Sequence, residues 1–504
     1  MWRRNRLHSI RLKSIANTYE ASSLVFGFGL LLVTSFVWLY HEPLCVDMFN
    51  HLADAKAFVD LIGGCVPPGY PYQLDIQVSS YELPVVLLGG LIKLFGVNAA
   101  AKVALSAYAA SVPLLIYFLA GRLDPASRWT RLTGLPFALN NCFHWGMWSF
   151  LMGLVAALSA LLLSLVLEKR RIAIPVEALA RVFVFLCHPT ATLALGIVDV
   201  SLALYRQATG EIRQLNSWLM AGCRLLMIWL PSAVLAVYVA KKGMSHPEFI
   251  WSSIGYQLMQ LIQPFYVNDY VLEELVPLVI FGILTWYAIR HSVKGGKATA
   301  YLFAGLVLVV LGCIIPRNSF MGSYQNGYRI ILIGFLLIAA SWSSIEKSKR
   351  GLLIIWIVTA LCFNLAAGHY AWHKYEKSAL WALDTMKKKF SDYSIIEISP
   401  TGYVLKHPLF VGFGMNIENL AWAYGYIKDS YNMSACFGLG PVKYVGYYNN
   451  NTSYRQDSEK KACIFFHLNY ASMENPIIFN PVIFNDIKEI YSDSNKVYAI
   501  AKLP

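Results

Sequence analysis

The sequence predicts a mostly α-helical, polytopic membrane protein with about 11 transmembrane helices, followed by a small C-terminal extracytoplasmic α/β domain. The chain has 504 residues, of which 57% are hydrophobic and only 14% are charged. Its mean hydropathy is +0.49. A soluble chain of this length carries about 25% charged residues, so the composition indicates a chain that folds largely in lipid.

The net charge is +13, and topology explains it, because cytoplasmic loops gather Lys and Arg. No run of basic residues interleaved with aromatic residues predicts a nucleic-acid surface. The basic segment at residues 1–13 precedes a span-length apolar run, and we interpret it as an uncleaved signal anchor with a cytoplasmic N-terminus. With an odd number of spans, the C-terminus is then extracytoplasmic.

The predicted spans are runs of roughly 20 apolar residues or somewhat fewer. They lie near residues 22–40, 102–120, 130–141, 145–167, 176–187, 190–205, 223–240, 271–289, 298–315, 330–342 and 352–367. A further apolar helix near residues 83–95 is predicted to lie flat at the interface. If it crossed, Arg122, Arg128 and Arg131 would lie outside, against the positive-inside tendency.

The chain is predicted to divide into a multispan domain, residues 1–368 with an outer loop at 41–99, and a soluble α/β domain at residues 369–504. In the second domain, a helix at 369–390 continues the last span, and strands are predicted at 394–399, 403–412, 463–468 and 496–503. If these regions face an oxidising compartment, the pairs Cys45 with Cys65 and Cys436 with Cys463 allow two disulfides.

An acidic helix is predicted directly after the first span, at residues 47–60. Asp47, His51 and Asp54 fall at i, i+4 and i+7, which places two carboxylates and an imidazole on one helix face. One interpretation is chemical, since such a cluster can supply a general base. The alternative is structural: Asp47 is then an N-cap or first-turn acid, and His51 an ordinary interfacial residue.

Other polar residues are predicted on the same outer face: Glu82, His144, His188, Arg317 and Arg329. Outer loops need no arginine for topology, and the planar guanidinium suits a phosphate. The alternatives are that both arginines snorkel to the lipid headgroups and that His188 only forms a turn between short spans. A further alternative places His144 in the interfacial aromatic belt.

These features resemble the GT-C superfamily of membrane glycosyltransferases, which take sugars from polyprenyl-phosphate carriers. The matching segments are DMFNHLADA (47–55), YELPVVLLGGLIKLFG (81–96), FHWGMWSFLMGL (143–154), HPTATLALG (188–196) and PRNSFMGSYQNGYR (316–329). The resemblance covers residues 24–367, and the tail carries no motif of the family. It implies a GT-C-like membrane core followed by an extracytoplasmic tail.

By position, Asp47 matches the first-loop aspartate that serves these enzymes as catalytic base, and Glu82 resembles an acidic position near the donor site. Arg317 or Arg329 would hold the carrier phosphate. With them, three residues complete the predicted substrate-binding set: His51, Asp54 and His188. The implied reaction is an inverting transfer from a polyprenyl-phosphate sugar to a glycan or glycolipid, with Asp47 as base.

The sequence departs from parts of the superfamily. The metal-using branch has paired acids in the first loop, whereas here Asp47 and Asp54 are spaced, so a required divalent cation is doubtful and no metal ligand is assigned. The WWDYG-like motif of oligosaccharyltransferases is absent from the sequence, which argues against Asn-linked transfer. The analogy favours a bacterial inner membrane and an envelope glycan such as O-antigen or lipid A.

Two other functions remain open from the sequence. An outer-face polymerase or ligase of lipid-linked polysaccharide also carries arginines in outer loops, although an acidic first loop is not its expected hallmark. A lipid-linked-sugar transporter would have ionisable groups near mid-bilayer and often inverted repeats. The spans here are nearly free of acids and no repeat is visible, which counts against a transporter.

Overall fold

The structure is a computed structural model. It describes residues 21–41, 45, 47–64, 72–74, 78–168, 170, 172–210, 215–241, 254–262, 264–265, 271–293, 295–316 and 326–389, and the strands beyond them. The described chain is mainly helical, as the sequence predicts. Its α-helices are α1 (Ala21–Leu39, whose last turn is 3-10), α2 (Met48–Gly63), α3 (Glu82–Phe95), α4 (Val97–Leu123), α5 (Asn141–Trp145), α6 (Trp148–Leu167), α7 (Ala173–Cys187), α8 (Pro189–Ala208), α9 (Leu215–Lys241), α10 (Ile254–Met259), α11 (Val271–Arg290), α12 (Lys297–Ile314), α13 (Asn326–Ala340) and α14 (Ser343–Lys389).

Six segments among the described residues are long and apolar enough to cross a membrane. They are α1, α4, α6, α12, the part of α9 at Trp218–Lys241 and the part of α14 at Ser348–Tyr370. The chain is therefore an integral membrane protein, while the number of about 11 spans remains a prediction. The helix predicted to continue the last span is confirmed, since α14 runs on to Lys389 with one non-helical residue at Lys349.

The short third span predicted at residues 130–141 is wrong. The segment is an eight-residue 3-10 helix, Thr130–Phe137, with Pro136 inside it and every residue buried except Arg131. The Glu346 carboxylate accepts hydrogen bonds of 2.8–3.1 Å from the backbone N–H groups of residues 128–130, just where the 3-10 helix begins. A proline without an N–H shortens the helix, and buried surroundings satisfy the irregular backbone.

The predicted interfacial helix is present as α3. It has 14 residues, fewer than the roughly 20 that a span needs. Gly96, with φ of +71°, separates α3 from α4. A residue with positive φ and extended ψ ends the first helix and lets the chain turn, and glycine adopts this conformation without strain.

The described residues pack into two compact units. One lies within Met1–Leu39, Ala104–Phe143 and Phe150–His369; the other lies within Tyr40–Val103, His144–Ser149 and Tyr370–Pro504. The first unit has an aromatic core of six buried rings: Phe137, Phe265, Phe281, Phe335, Trp342 and Trp356. The predicted domain boundary at 368/369 remains a prediction.

Helices α12 and α13 approach each other closely through four glycines. A Cβ built on Gly334 would lie 2.8 Å from the carbonyl oxygen of Gly305, and one built on Gly305 would lie 2.8 Å from the carbonyl oxygen of Gly334. Gly312 and Gly327 form a second such pair, at 2.8 Å and 2.5 Å. Small residues let helix backbones meet in membranes, where there is little hydrophobic drive between helices.

We expect Gly334→Ala to lower the free energy of unfolding by about 1–3 kcal/mol, because the new methyl group meets backbone that cannot move aside. Gly282→Ala is the matched control, since a Cβ at Gly282 on α11 would have no atom within 4 Å. The control should be neutral or stabilising by about 0.5–1 kcal/mol. Thermal unfolding of the two purified variants in detergent tests this, and an equal Tm for both would contradict the packing described.

Four basic connectors lie together at one end of the first unit; the positive-inside tendency predicts all of them on the inner side. They are residues 122–131, 168–171, 290–297 and 346–350. Glu168, after α6, pairs with Arg206 at 3.3 Å and Lys297 at 2.6 Å. Lys349 lies 4.6 Å from the ring centre of Tyr287, and Glu346 contacts the backbone after α4. The connectors therefore share one end, as predicted; the side of the membrane they face remains a prediction.

In the second unit, α2 packs against α3 and the tail contributes strands. The strands are β1 (Tyr72–Leu74), β2 (Ile395–Pro400), β3 (Tyr431–Asn432), β4 (Val442–Tyr444), β5 (Ala462–Asn469), β6 (Ile487–Asp493) and β7 (Lys496–Lys502). β1 of the outer loop pairs antiparallel with β4, and the other strands form one sheet in the order β3-β2-β5-β7-β6. The predicted strands near 394–399, 463–468 and 496–503 are present. Cys65, Cys436 and residues 403–412 lie outside the described residues, so the two disulfides remain predictions.

Candidate functional site

The acidic helix predicted after the first span is α2, and Asp47 occupies its N-cap position. The Asp47 side chain makes no capping hydrogen bond, and its backbone has φ of −94° and ψ of −12°, which is helical rather than the extended conformation usual for an N-cap. Asp47 is half-buried. Asp47 therefore has the position that the structural alternative gives it, but without a capping hydrogen bond, and its role remains a prediction.

The backbone of Asp47 is held by the segment that opens α6. Its N–H donates to the carbonyl oxygen of Trp145 at 2.6 Å. The next residue, Gly146, has φ of +69°, and a Cβ there would lie 2.7 Å from the backbone nitrogen of Met48. Only glycine permits this approach. The Trp148 indole N–H donates to the carbonyl oxygen of Pro84 at 3.0 Å. The starts of α2 and α3 are thus both fixed to one short segment.

The other two polar residues of the α2 face lie deeper than Asp47. His51 is 7% exposed and Asp54 is 0% exposed. The prediction that the three share one face is confirmed by the helix, and this face is buried within the second unit. His51 is therefore covered by protein rather than exposed at a surface, and its role remains a prediction.

Glu82 is the first residue of α3 and is half-buried. Loss of hydration raises the pKa of its carboxyl to about 6, and a hydrogen bond from the backbone N–H of Ser79 acts in the opposite direction. Its Oε1 atom is buried without a hydrogen-bond partner among the described residues. A carboxylate in this state is suited to receive a donor group from a ligand.

The pH dependence of thermal stability should reveal the raised pKa of Glu82. Because the pKa of Glu82 is raised to about 6 in the folded chain, its contribution to stability is present at low pH and is lost as pH rises through about 6. We expect Glu82→Gln to raise Tm relative to the parent protein more at pH 8 than at pH 5, by on the order of 1 °C. Thermal unfolding at both pH values measures it. A variant that loses stability at pH 8 would mean that donors stabilise the ionised carboxylate by more than its loss of hydration costs, which would contradict the raised pKa.

His144 does not lie in an interfacial belt, so that interpretation is wrong. It is 0% exposed, and its ring meets the buried ring of Trp372 at 6.2 Å in an edge-on arrangement. Trp148 of the same aromatic run is 3% exposed. The sequence WGMW alone does not distinguish an interfacial position from a buried one, because tryptophan is frequent both at membrane interfaces and in protein cores.

A second polar group lies in the first unit, at the turn between α7 and α8. His188 is the extended residue that separates the two helices, so the predicted turn is confirmed. Its Nδ1 accepts the backbone N–H of Thr190 at 3.1 Å and so caps α8, while Pro189 occupies the first helical position. The turn is therefore rigid, and it fixes the orientation of the imidazole ring.

Arg329 contacts the other edge of this ring. Its Nη1 lies 3.1 Å from Nε2 of His188, and its guanidinium carbon lies 5.4 Å from the ring centre of Phe150. Arg329 is only 8% exposed, on a helix whose residues are all buried. The alternative in which Arg329 snorkels to the headgroups is therefore wrong. Arg317 lies outside the described residues.

The contacts of His188 leave two hydrogen-bond donors facing each other. A neutral imidazole has one acceptor nitrogen, and here Nδ1 accepts from Thr190, which assigns the proton to Nε2. The Nε2–H group and the guanidinium of Arg329 are then both donors, 3.1 Å apart at nitrogen. Two such donors are compatible when they share an anionic acceptor. A guanidinium and an imidazole at this distance are groups that can bind one anion together.

Two residues of this group escaped the sequence analysis. The Thr190 hydroxyl donates to Oδ1 of Asn326 at 2.5 Å, which ties α8 to α13 one turn before Arg329. Both residues lie inside segments that resemble the GT-C superfamily, HPTATLALG and PRNSFMGSYQNGYR. The signal was therefore present, but a hydroxyl and an amide are too common to single out without a contact.

The chain direction places this group away from the basic connectors. His188 begins α8, and Arg206, which pairs with Glu168 among the connectors, lies close to its end. A helix rises about 1.5 Å per residue, so roughly 27 Å separates the two residues. This agrees with the prediction that His188 and Arg329 lie at the end opposite the basic connectors.

No group of three His, Cys, Asp or Glu residues that could hold a metal ion occurs in the part of the chain that the structure describes.

Comparison with known structures identifies the fold. The chain is similar to a crystal structure of ArnT from Cupriavidus metallidurans bound to undecaprenyl phosphate, with a TM-score of 0.57 and 12% sequence identity, over 95% of this chain and 97% of ArnT. It is also similar to apo ArnT from the same organism, with a TM-score of 0.53 and 13% identity over the same shares. The predicted resemblance to GT-C proteins is confirmed for the fold. No protein-family profile matches the chain. No curated protein sequence matches it either.

Proposed function

We propose that this protein is a GT-C-type glycosyltransferase that moves a sugar from a polyprenyl-phosphate carrier to a hydroxyl of an envelope glycan or glycolipid. The observation that carries the proposal is the buried pair of donors formed by Arg329 and His188, 3.1 Å apart. It occurs in a fold that ArnT shares, and ArnT has been crystallised with undecaprenyl phosphate. A phosphate ester is one of the anions that the planar guanidinium fork binds through paired hydrogen bonds.

Asp47 is proposed as the general base. Its carboxylate takes the proton of the acceptor hydroxyl, and the hydroxyl oxygen then bonds to the anomeric carbon of the donor sugar. The bond between that carbon and the phosphate oxygen breaks, and its electron pair leaves with polyprenyl phosphate. A single displacement of this kind inverts the configuration of the sugar.

Arg329 and His188 are proposed to hold the phosphate as it becomes the leaving group. Charge on the phosphate oxygens increases as the sugar departs, so donors that are already oriented stabilise the transition state more than the bound donor. The capping bond from Thr190 to Nδ1 keeps the Nε2 proton of His188 directed at the same acceptor. Arg317 remains a second candidate for phosphate binding.

The remaining predicted residues are proposed as supports. His51 and Asp54 lie behind Asp47 on the buried face of α2 and are proposed to set the position of the donor sugar. Glu82, whose pKa is raised to about 6, is proposed to bind a hydroxyl group of the sugar on the lipid-linked donor. The sugar, a pentose or a hexose, and the bacterial inner membrane with a periplasmic C-terminal domain are expectations from the GT-C resemblance.

The experiment is a donor-consumption assay with purified protein. A radiolabelled monosaccharide linked to polyprenyl phosphate is incubated with a lipid A or O-antigen acceptor, and free polyprenyl phosphate is measured together with labelled acceptor. The proposal predicts equal amounts of both products. A transporter would leave the donor intact. A polymerase or ligase would leave this donor intact but consume a polyprenyl-linked oligosaccharide, and either of these outcomes overturns the proposal.

A further inference from the structure

A stripe of exposed apolar side chains runs along α11 and ends in a basic residue. The exposed residues Val276, Val279, Ile283 and Trp286 follow one another at spacings of three and four, and Arg290 continues the same row. Spacings of three and four keep side chains on one helix face. The stripe is about 21 Å long, which is more than the roughly 15 Å hydrocarbon thickness of one leaflet.

The end of this stripe has the chemistry of a membrane interface. Trp286 is 58% exposed, and the guanidinium carbon of Arg290 lies 5.5 Å from its ring centre. Tryptophan is enriched where the hydrocarbon meets the headgroups, so Arg290 lies at headgroup depth. The apolar part of α11 then faces acyl chains.

A second cation comes to this point from another helix. Lys349, at the break in α14, has its Nζ 4.6 Å from the ring centre of Tyr287, which is three residues before Arg290. Arg350, the next residue, is exposed. The break turns α14 at Lys349, so its side chain approaches α11 rather than continuing the helical row.

These cations differ from others at the same end of the unit. Arg206 and Lys297 both pair with Glu168. Neither Arg290 nor Lys349 has an acidic partner in the described part of the chain, and their contacts are with aromatic rings. Glu168 offsets one of the two charges of the first pair, whereas the second pair has no acid beside it in the described residues and lies next to an exposed apolar surface.

We propose that Arg290 and Lys349 form a binding site for the phosphate of an anionic phospholipid, with one acyl chain along the α11 stripe. Clusters of basic residues between membrane helices bind anionic headgroups in this way, and tryptophan and tyrosine rings order the flanking glycerol region. The occupant is a glycerophospholipid with net negative charge. The site is separate from the proposed sugar-transfer residues.

Native mass spectrometry of the full-length protein tests this. Delipidated protein in neutral detergent is titrated with phosphatidylglycerol and, separately, with phosphatidylcholine. The parent protein should retain phosphatidylglycerol in preference. Arg290→Gln with Lys349→Gln should bind it about 30-fold more weakly, from about 1 kcal/mol for each cation. The control, Arg206→Gln with Lys297→Gln, removes the same charge at the same end and should bind as the parent does.

Equal losses in the two double variants would mean that the lipid responds only to total charge, and this would overturn the site. No preference for phosphatidylglycerol in the parent protein would overturn it as well. A photoactivatable phosphatidylglycerol gives a second measurement on the parent protein alone, which needs no variant to fold. Labelling should map to the second half of α11 and to the region of Lys349, and labelling confined to other helices would contradict the proposal.

Discussion

Replacing Asp47 with asparagine should reduce sugar transfer by about 10²–10⁴-fold, because the amide cannot take the proton of the acceptor hydroxyl. Asparagine caps helices as well as aspartate does, so the fold of α2 is expected to persist. The variant therefore separates the two interpretations of Asp47: a base loses its function, whereas an N-cap does not.

The measurement is the initial rate of polyprenyl phosphate release by purified Asp47→Asn protein with an unchanged Tm. Asp60→Asn is the matched control, since Asp60 lies on the same helix and forms an ion pair with Lys56 at 2.9 Å. Asp60→Asn should leave the rate of transfer near normal and lower the free energy of unfolding only slightly, because partly exposed ion pairs of this kind contribute about 0.3–0.5 kcal/mol. Near-normal transfer by the Asp47 variant would remove its proposed role.

Replacing Arg329 with alanine should lower kcat/KM for the lipid-linked donor by about 10–100-fold, which corresponds to a charged hydrogen bond of about 1.5–3 kcal/mol. The apparent donor KM should rise and kcat should fall, because the guanidinium is proposed to bind the phosphate most strongly in the transition state. The apparent KM for the acceptor should change by no more than about twofold, because the guanidinium is proposed to contact only the phosphate. Steady-state rates with each substrate varied in turn give both values.

Arg329→Lys adds a test of geometry. Lysine keeps the charge but loses the planar fork, so its apparent donor KM should lie between those of the parent and Arg329→Ala. If both variants fold and bind the donor with an unchanged KM, Arg329 does not bind the phosphate. The contact would then be assigned to Arg317, and Arg329 would have a structural role. Thermal unfolding distinguishes a lost contact from a lost fold, since Arg329 is buried beside Phe150.

The sequence predicted most of the helices, because apolar runs of span length need little context. It failed at residues 130–141, where a dozen mostly apolar residues suggested a short span. The actual 3-10 helix depends on Glu346, more than two hundred residues away in the chain, whose carboxylate satisfies the first backbone N–H groups. A contact between residues so far apart in the chain cannot be predicted from the sequence around residues 130–141.

The candidate site was predicted in part. Topology alone placed His188 and Arg329 at the same end of the helices, and their direct contact is consistent with this. Periodicity placed Asp47, His51 and Asp54 on one face but gave no depth, because burial depends on what packs against that face. The role of Gly146 was also missed, since a glycine in an aromatic run carries no sign that a helix start lies against it.

In the C-terminal tail, the sequence likewise predicted individual strands but not a pairing between distant segments. Short hydrophobic runs between polar residues predicted the strands near 463–468 and 496–503, and these strands pair with each other as β5 and β7. The pairing of β1 with β4 was not predicted, because it joins a three-residue strand of the outer loop to one of equal length far along the chain. Short strands have too few residues to show periodicity.

The central claim is that the guanidinium of Arg329 and the imidazole of His188 bind the phosphate of a polyprenyl carrier. The most direct measurement is an experimental structure of the protein with polyprenyl phosphate. The account predicts phosphate density within hydrogen-bond distance of Nη1 of Arg329 and Nε2 of His188. Phosphate density bound by other side chains, with both of these residues out of contact, would contradict it.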